Sequence, residues 1–281
     1  MSAETFDVAI IGGGPAGYVA GIRGAQLGGR VCVIEERELG GVCLNRGCIP
    51  TKALVASVRA LRTAREAASF GVMVSGDVAP DLPAMMARKN TVVEGLVKGI
   101  QGLFKSNGVI HIKGRASFLG PGKLQVEGPE GRREIGARKV IVATGSRPAE
   151  LPGLPLDGKN VITSDEALEL KAVPESILIV GAGYIGCEWA CIFRELGSEV
   201  TLVEVLPRIL PLVDEDMAKT LEREFKKNKI AALTGKTVEK LSPNPQGGLV
   251  ARLSGGEEVG AEIVLVSVGR AYNTEGLGLE G

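Results

Sequence analysis

Histidine, aromatic side chains, long apolar runs and net charge are all scarce here, and each shortage removes a class of protein. His111 is the only histidine. No His or further Cys therefore stands near Cys43 and Cys48 to complete a zinc ligand set, and no metal is expected. No apolar run approaches the roughly 20 residues needed to span a bilayer. Lys+Arg and Asp+Glu both number 33, so nothing electrostatic favours nucleic acid or an anionic membrane as a partner. The N-terminus lacks the basic flank and cleavage site of a signal peptide. The five cysteines do not resemble a secreted disulfide framework, so a cytoplasmic protein is expected.

What is present is glycine, 40 of 281 residues, within a chain that is 44% hydrophobic and 4% aromatic. That balance predicts an α/β architecture rich in tight strand–helix turns, in one large or two ordinary domains. Asp7 to Ile11 reads as a buried parallel strand and runs into Gly12-Gly13-Gly14-Pro15-Ala16-Gly17. A helix to Leu27 and a strand, Arg30 to Ile34, follow, ending in Glu35 and Glu36. Glycines at 12, 14 and 17 meet the needs of a dinucleotide fold: a tight turn, close approach of backbone to pyrophosphate, and packing of helix on strand. The acid can hold ribose hydroxyls.

The unit recurs. Ser176 to Val180, Gly181-Ala182-Gly183-Tyr184-Ile185-Gly186, a helix through Leu196 and a strand ending in Glu204 each fall 169 positions after their counterparts. Two Rossmann-like dinucleotide-binding domains are expected, with central parallel sheets: 1–149, and 150–270 after a Pro- and Gly-rich linker. Residues 271–281 begin a return to the first domain and end in a glycine-rich tail without structure. Between the repeats, Ala53 to Phe70 and Ala84 to Lys105 read as helices. Val109–Ile112, Lys123–Glu127 and Arg132–Ile135 read as an antiparallel β excursion, and Lys139–Ala143 as a separate buried strand. Thr163 with Glu166 fits a capping box, and Asp214 a helix cap.

Cys43 and Cys48 lie in Gly40 to Ala53, read as a loop running into a helix start at Pro50. Near that start the helix dipole favours a thiolate at Cys48. A disulfide between them closes so small a ring that it stabilises by only roughly 2 kcal/mol, which suits redox cycling better than stapling. Cys32, Cys187, Cys191 and His111 read as structural. Two nucleotide sites and a redox-poised pair imply a path from nicotinamide through flavin to disulfide. The first site is assigned to FAD and the second to NAD. Glu204 favours NAD over NADP, although Arg208 is close by in sequence.

The stretch Gly-Gly-Val-Cys-Leu-Asn-Arg-Gly-Cys-Ile-Pro-Thr-Lys resembles the redox-active segment of the pyridine nucleotide–disulfide oxidoreductases. The resemblance extends to Ala143-Thr144-Gly145, Gly181 to Glu188 and Ser267-Val268-Gly269-Arg270. Most similar are the members that oxidise dihydrolipoyl groups of 2-oxo acid dehydrogenase or glycine cleavage complexes. The resemblance implies that Cys43 exchanges with dihydrolipoamide and that Cys48 makes a charge-transfer contact with FAD. It implies that Lys52 pairs with Glu188 near the flavin, a pair that if buried costs about 3–5 kcal/mol to half-remove, and that Tyr184 gates the nicotinamide. FAD contacts are implied at Gly12, Gly14, Pro15, Ala16, Gly17, Glu35, Glu36, Gly41, Val42, Cys43, Lys52, Gly114, Ala116, Ala143, Thr144 and Gly145. NAD contacts are implied at Gly181, Gly183, Tyr184, Ile185, Gly186, Glu204, Val238 and Gly269. The family's His–Glu base, from a C-terminal interface domain across a homodimer, has no counterpart here, nor has its later Gly-Asp segment. The expectation is a truncated form with little complete turnover and no dimer. The alternatives are a sibling such as a mercuric or glutathione reductase, or an inert nucleotide-binding module.

Overall fold

The computed structural model describes residues 4–245 and 247–279. From the N-terminus run β1 (Glu4–Ile11), α1 (Pro15–Gln26), β2 (Val31–Glu35), α2 (Gly41–Arg46), α3 (Cys48–Arg65), α4 (Leu82–Asn107), β3 (Ile110–Lys113), β4 (Arg115–Gly120), β5 (Lys123–Gly128), β6 (Gly131–Val142) and β7 (Ser146–Pro148). Then follow β8 (Val161–Ile162), α5 (Ser164–Ala167), β9 (Ser176–Val180), α6 (Tyr184–Leu196), β10 (Glu199–Glu204), α7 (Glu215–Lys227), β11 (Ile230–Thr234), β12 (Val238–Pro243), β13 (Leu249–Leu253), β14 (Glu258–Ala261), β15 (Ile263–Val266) and β16 (Arg270–Tyr272). Contacts divide the chain into two units: Met1–Pro50, Asn90–Arg147 and Ala271–Gly281, and Thr51–Lys89 with Pro148–Arg270.

In the first unit a six-stranded sheet runs β3-β2-β1-β6-β5-β4. β3, β2, β1 and β6 are parallel, whereas β6, β5 and β4 pair antiparallel. All five residues of β2 are buried, as expected of a parallel strand covered on both faces. Val31 and Val33 join Ile10, Ile100 and Phe104 beneath the helices. Cys32 and Ile34 point the other way, to Leu124, Val126 and Ile135 of the antiparallel strands. Burying each such aliphatic side chain contributes about 1.5–3 kcal/mol. The second unit repeats this layering. Its parallel sheet, β11-β10-β9-β15-β8, carries Ile177, Ile179 and Leu202 against Trp189 and Phe193 of α6. Leu178, Val180 and Val264 face Ala251, Leu253 and Ala261 of the β12-β13-β14 sheet.

Several expectations need correction. Gly131–Val142 is one strand of 12 residues, not two: it pairs with β5 over its first half and with β1 over its second. Gly136, in its middle, mimics a break. β3 pairs parallel with β2, because the long α4 returns the chain to the same end of the sheet. β4 (RASFLG) and β14 (EVGA) are short and contain or end in glycine, so neither sequence announces a strand. The tail is also ordered up to Gly278: Leu277 is buried and its carbonyl accepts the Phe118 N–H at 2.7 Å. Glu280 and Gly281 lie outside the described residues. The helix caps at Thr163–Glu166 and Asp214 form as expected.

Candidate functional site

The two glycine loops share one geometry. Gly12 and Gly181 adopt φ of +107° and +99°, and each donates its N–H to the end of the second strand, Ile34 or Val203, at 2.8 Å. A Cβ on Gly12 would stand 2.2 Å from the Ala143 carbonyl oxygen, and one on Gly181 2.6 Å from that of Ser267. The third glycines, Gly17 and Gly186, press on the first: their Cβ atoms would lie 1.8 and 2.0 Å from the Gly12 and Gly181 oxygens. Around the middle glycines there is room. A Cβ on Gly14 would meet nothing nearer than Gly41 Cα at 3.7 Å, and one on Gly183 nothing within 4 Å.

Gly14 and Gly183 are the N-caps of α1 and α6, with no side-chain cap and no acid in the first turn. By contrast α5 and α7 begin with a capping side chain and two acids each. The N-terminal N–H groups of α1 and α6 thus have no capping side chain, the arrangement that receives a pyrophosphate. Pro15 and Tyr184 open the two helices, and Tyr184 is 66% exposed.

Glu35 and Glu204 close both loops identically. Glu35 accepts the Gly13 N–H and the Arg37 N–H, each at 2.7 Å. Glu204 accepts those of Ala182 at 2.8 Å and Leu206 at 2.9 Å. Both residues are buried, whereas Glu36 is exposed.

The cysteine stretch is helical rather than a loop. Cys43 sits half-buried on α2, and Cys48, exposed, opens α3. Both are thiols in this structure. Gly41 (φ +59°) brings α2 onto the first loop: a Cβ there would lie 2.6 Å from Gly14 Cα. The Gly40 N–H bonds the Gly13 carbonyl at 2.8 Å. Between the cysteines, a Cβ on Gly47 would stand 3.1 Å from the Val42 oxygen and 3.4 Å from Cys43 Cα. Glycine lets the chain double back there without crowding, where a side chain would need the Val42 carbonyl to give by a few tenths of an ångström. Sequence reasoning missed this position, although a glycine inside the motif was the available signal.

Other expected positions divide. Ala143 and Thr144 lie against the first loop at Gly12, and Gly145 (φ +69°) continues the turn. Asn273, not foreseen, holds that turn by donating to the Thr144 and Gly145 carbonyls, both at 3.0 Å, and Arg147 donates to its side-chain oxygen at 3.2 Å. The Gly114 N–H bonds the Glu35 carbonyl at 2.9 Å. Ala116 buries its side chain in the core, so only its backbone is available to a ligand. In the second unit Val238 opens β12 and packs on the core. Ile185 is partly buried on α6, and Gly269 has φ +133°.

Lys52 and Glu188 form an ion pair within the second unit, with side chains 56% and 32% exposed. Such exposure corrects the buried-pair magnitude to at most about 1 kcal/mol. Burial pushes the Cys32 and Cys187 thiols up to about 12. Burial first and then Lys113 hold His111 below its ordinary pKa; it stands on β3, edge-on to Phe104 at 6.5 Å.

A nucleotide-type glycine loop made twice, with the Cys43-bearing helix α2 resting on the first copy, is the arrangement of the nucleotide-dependent disulfide oxidoreductase fold. The family described as pyridine nucleotide-disulphide oxidoreductase matches residues 6–281, and the chain belongs to it. A dihydrolipoyl dehydrogenase of Bacillus subtilis is 43% identical over 291 residues, covering 99% of this chain and 61% of the relative. The mitochondrial dihydrolipoyl dehydrogenase 2 of Arabidopsis thaliana is 43% identical over 281 residues, with 98% and 55% covered. Among solved structures, LpdA from Mycobacterium tuberculosis matches with a TM-score of 0.90 at 30% identity, over 99% of this chain and 61% of that one. The HOCl-induced flavoprotein disulfide reductase RclA from Escherichia coli, as its Cu(II) complex, gives 0.84 at 29%, over 99% and 59%. The chain spans 61% and 55% of the length of the two curated relatives. The dihydrolipoyl dehydrogenases of this family use FAD and NAD. Among the described residues no helix is long and apolar enough to cross a membrane.

Proposed function

We propose that this chain transfers electrons between NAD(H) and the Cys43–Cys48 pair, as part of an enzyme that oxidises dihydrolipoamide to lipoamide. FAD belongs on the first loop and NAD on the second. The single observation that carries this is the loop geometry repeated in both units, with the Cys43-bearing helix α2 packed on the first copy. Lipoyl groups of 2-oxo acid dehydrogenase or glycine cleavage complexes are the proposed partners, in the cytoplasm.

When bound, the flavin relays electron pairs between nicotinamide and disulfide. The protein's own residues do the remainder. The N–H groups opening α1 and α6 bind the two pyrophosphates. Gly14 and Gly183 let those phosphates approach backbone, and Glu204 disfavours a 2′-phosphate. Cys43 and Cys48 gain or lose the electron pair: NADH, H⁺ and the disulfide become NAD⁺ and two thiols. Lys52, held by Glu188, keeps a positive charge in that neighbourhood.

The test is a half-reaction. The purified chain, oxidised and loaded with FAD, is mixed anaerobically with NADH, and flavin absorbance and free thiols are followed. With NADH in excess the expected result is bleaching with two new thiols per chain, two electron pairs taken up in all, and bleaching without new thiols, one pair taken up, in a C43S/C48S variant. A chain that holds no FAD, or whose flavin NADH leaves unbleached, overturns the proposal in favour of an inert nucleotide-binding module.

A further inference from the structure

The acid ending the second strand of a dinucleotide unit is ordinarily credited with one job, holding ribose. In this chain both oxygens of both acids are already occupied by backbone. Glu35 accepts from Gly13 and Arg37, and Glu204 from Ala182 and Leu206. The four bonds lie between 2.7 and 2.9 Å. Gly13 and Ala182 are the second residues of their loops, placed between the tight-turn glycine and the glycine that caps the helix. Ala182 is fully buried, so its N–H has no water to turn to if the carboxylate leaves.

We propose that Glu35 and Glu204 are positioning residues: each clamps its glycine loop to the end of the second strand, fixing the pyrophosphate cradle before any nucleotide arrives. The inference rests on reading the loops as nucleotide sites, and it adds a specificity consequence for the second. A neutral residue at 204 removes the repulsion of a 2′-phosphate, but it also releases the Ala182 N–H and with it the loop. Neutralising Glu204 alone therefore weakens NADH binding without creating an NADPH site.

Glutamine is the informative replacement. It has the same shape, but one oxygen becomes an NH₂ that cannot accept from a backbone N–H. Amide hydrogen exchange in the nucleotide-free chain reads the clamp directly. E204Q should speed exchange by about tenfold or more at Ala182 or at Leu206, whichever N–H the new NH₂ faces, the loss of one hydrogen bond, while amides of β9 stay unchanged. Binding separates clamp from ribose contact. NADH is compared with its analogue lacking both adenosine ribose hydroxyls, and E204Q should weaken both by similar factors, about tenfold.

Unchanged exchange at both Ala182 and Leu206 overturns the clamp. So does an analogue that binds wild type and E204Q equally while NADH alone is weakened, since the carboxylate would then act through ribose only. A gain of tight NADPH binding by E204Q overturns the specificity consequence. If wild type binds neither dinucleotide, the nucleotide reading fails while the exchange measurement still decides the clamp. If E204Q does not fold, E35Q carries the same exchange test at Gly13 and Arg37 in the other unit.

Discussion

Gly186→Ala, set against Gly183→Ala, separates what the fold demands of the second loop from what a ligand demands. At Gly186 the added Cβ meets the Gly181 carbonyl at 2.0 Å and Ser267 Oγ at 2.8 Å. The carbonyl belongs to backbone already fixed by the 2.8 Å bond from the Gly181 N–H to Val203, so α6 must move off β9. Overpacking of that kind costs about 3 kcal/mol, and better helix propensity returns about 1 kcal/mol. The net loss is about 2 kcal/mol, or roughly 4–8 °C in melting temperature for a unit of this size. At Gly183 the Cβ meets nothing and φ is −70°. Alanine is a poorer N-cap than glycine by well under about 1 kcal/mol, so stability should hold while NADH binding is lost. Urea denaturation with NADH titration of both variants makes the comparison. A G186A protein as stable as wild type, or a G183A protein that binds NADH normally, refutes the reasoning.

Three further outcomes are expected. Glu188→Ala should change stability by less than about 1 kcal/mol, since the pair with Lys52 is half-exposed, yet shift the flavin spectrum and slow its reduction by NADH. Stopped-flow spectra of the loaded chain check this, and an unchanged spectrum and rate remove the pair from the mechanism. With a thiol reagent the reduced chain should react first at Cys48, then at Cys43, and at Cys32 and Cys187 only on unfolding. A fast-reacting Cys32 or Cys187 contradicts the packing. Those two buried thiols ionise near 12 against 9.0 when unfolded. A raised folded pKa means their contribution is complete below pH 9 and is lost as pH climbs from there towards 12. Chemical denaturation of a C32A/C187A chain should accordingly show a shallower loss of stability across that window than wild type.

Legibility followed distance along the chain. The doubled β-α-β units, their glycines and their acids could be read because each requirement falls within about 30 residues and repeats at a fixed interval. The caps at Thr163 and Asp214 were equally local. What escaped depends on residues far apart. Gly136 looks like a strand break until β1 and β5 are seen to pair with the same strand on either side of it. Gly40 and Gly41 look like a turn, although the turn is what seats α2 on Gly14. Lys52–Glu188 was inferred by resemblance, and its exposure could not be judged because the two residues lie 136 positions apart. Asn273 carries no pattern of its own, and its worth lies wholly in the Thr144 and Gly145 carbonyls it finds.

The continuous strand β6 constrains how this chain can be cut or lengthened. Its antiparallel half ends in the tight hairpin at Gly128–Gly131, where Glu130 and Gly131 are exposed; a peptide inserted there, or a split into two fragments, disturbs only the end of a ladder. A single residue deleted between Gly136 and Lys139 is another matter. It slides one half of the strand against the other by one position and turns every side chain of that half to the opposite face. Either Ile135 and Leu124 lose their partnership, or Ala143 no longer meets Gly12. The first loop is thus mechanically tied to a hairpin at the far end of β6, and library design on this scaffold should vary the hairpin tip freely while keeping the length of β6 fixed.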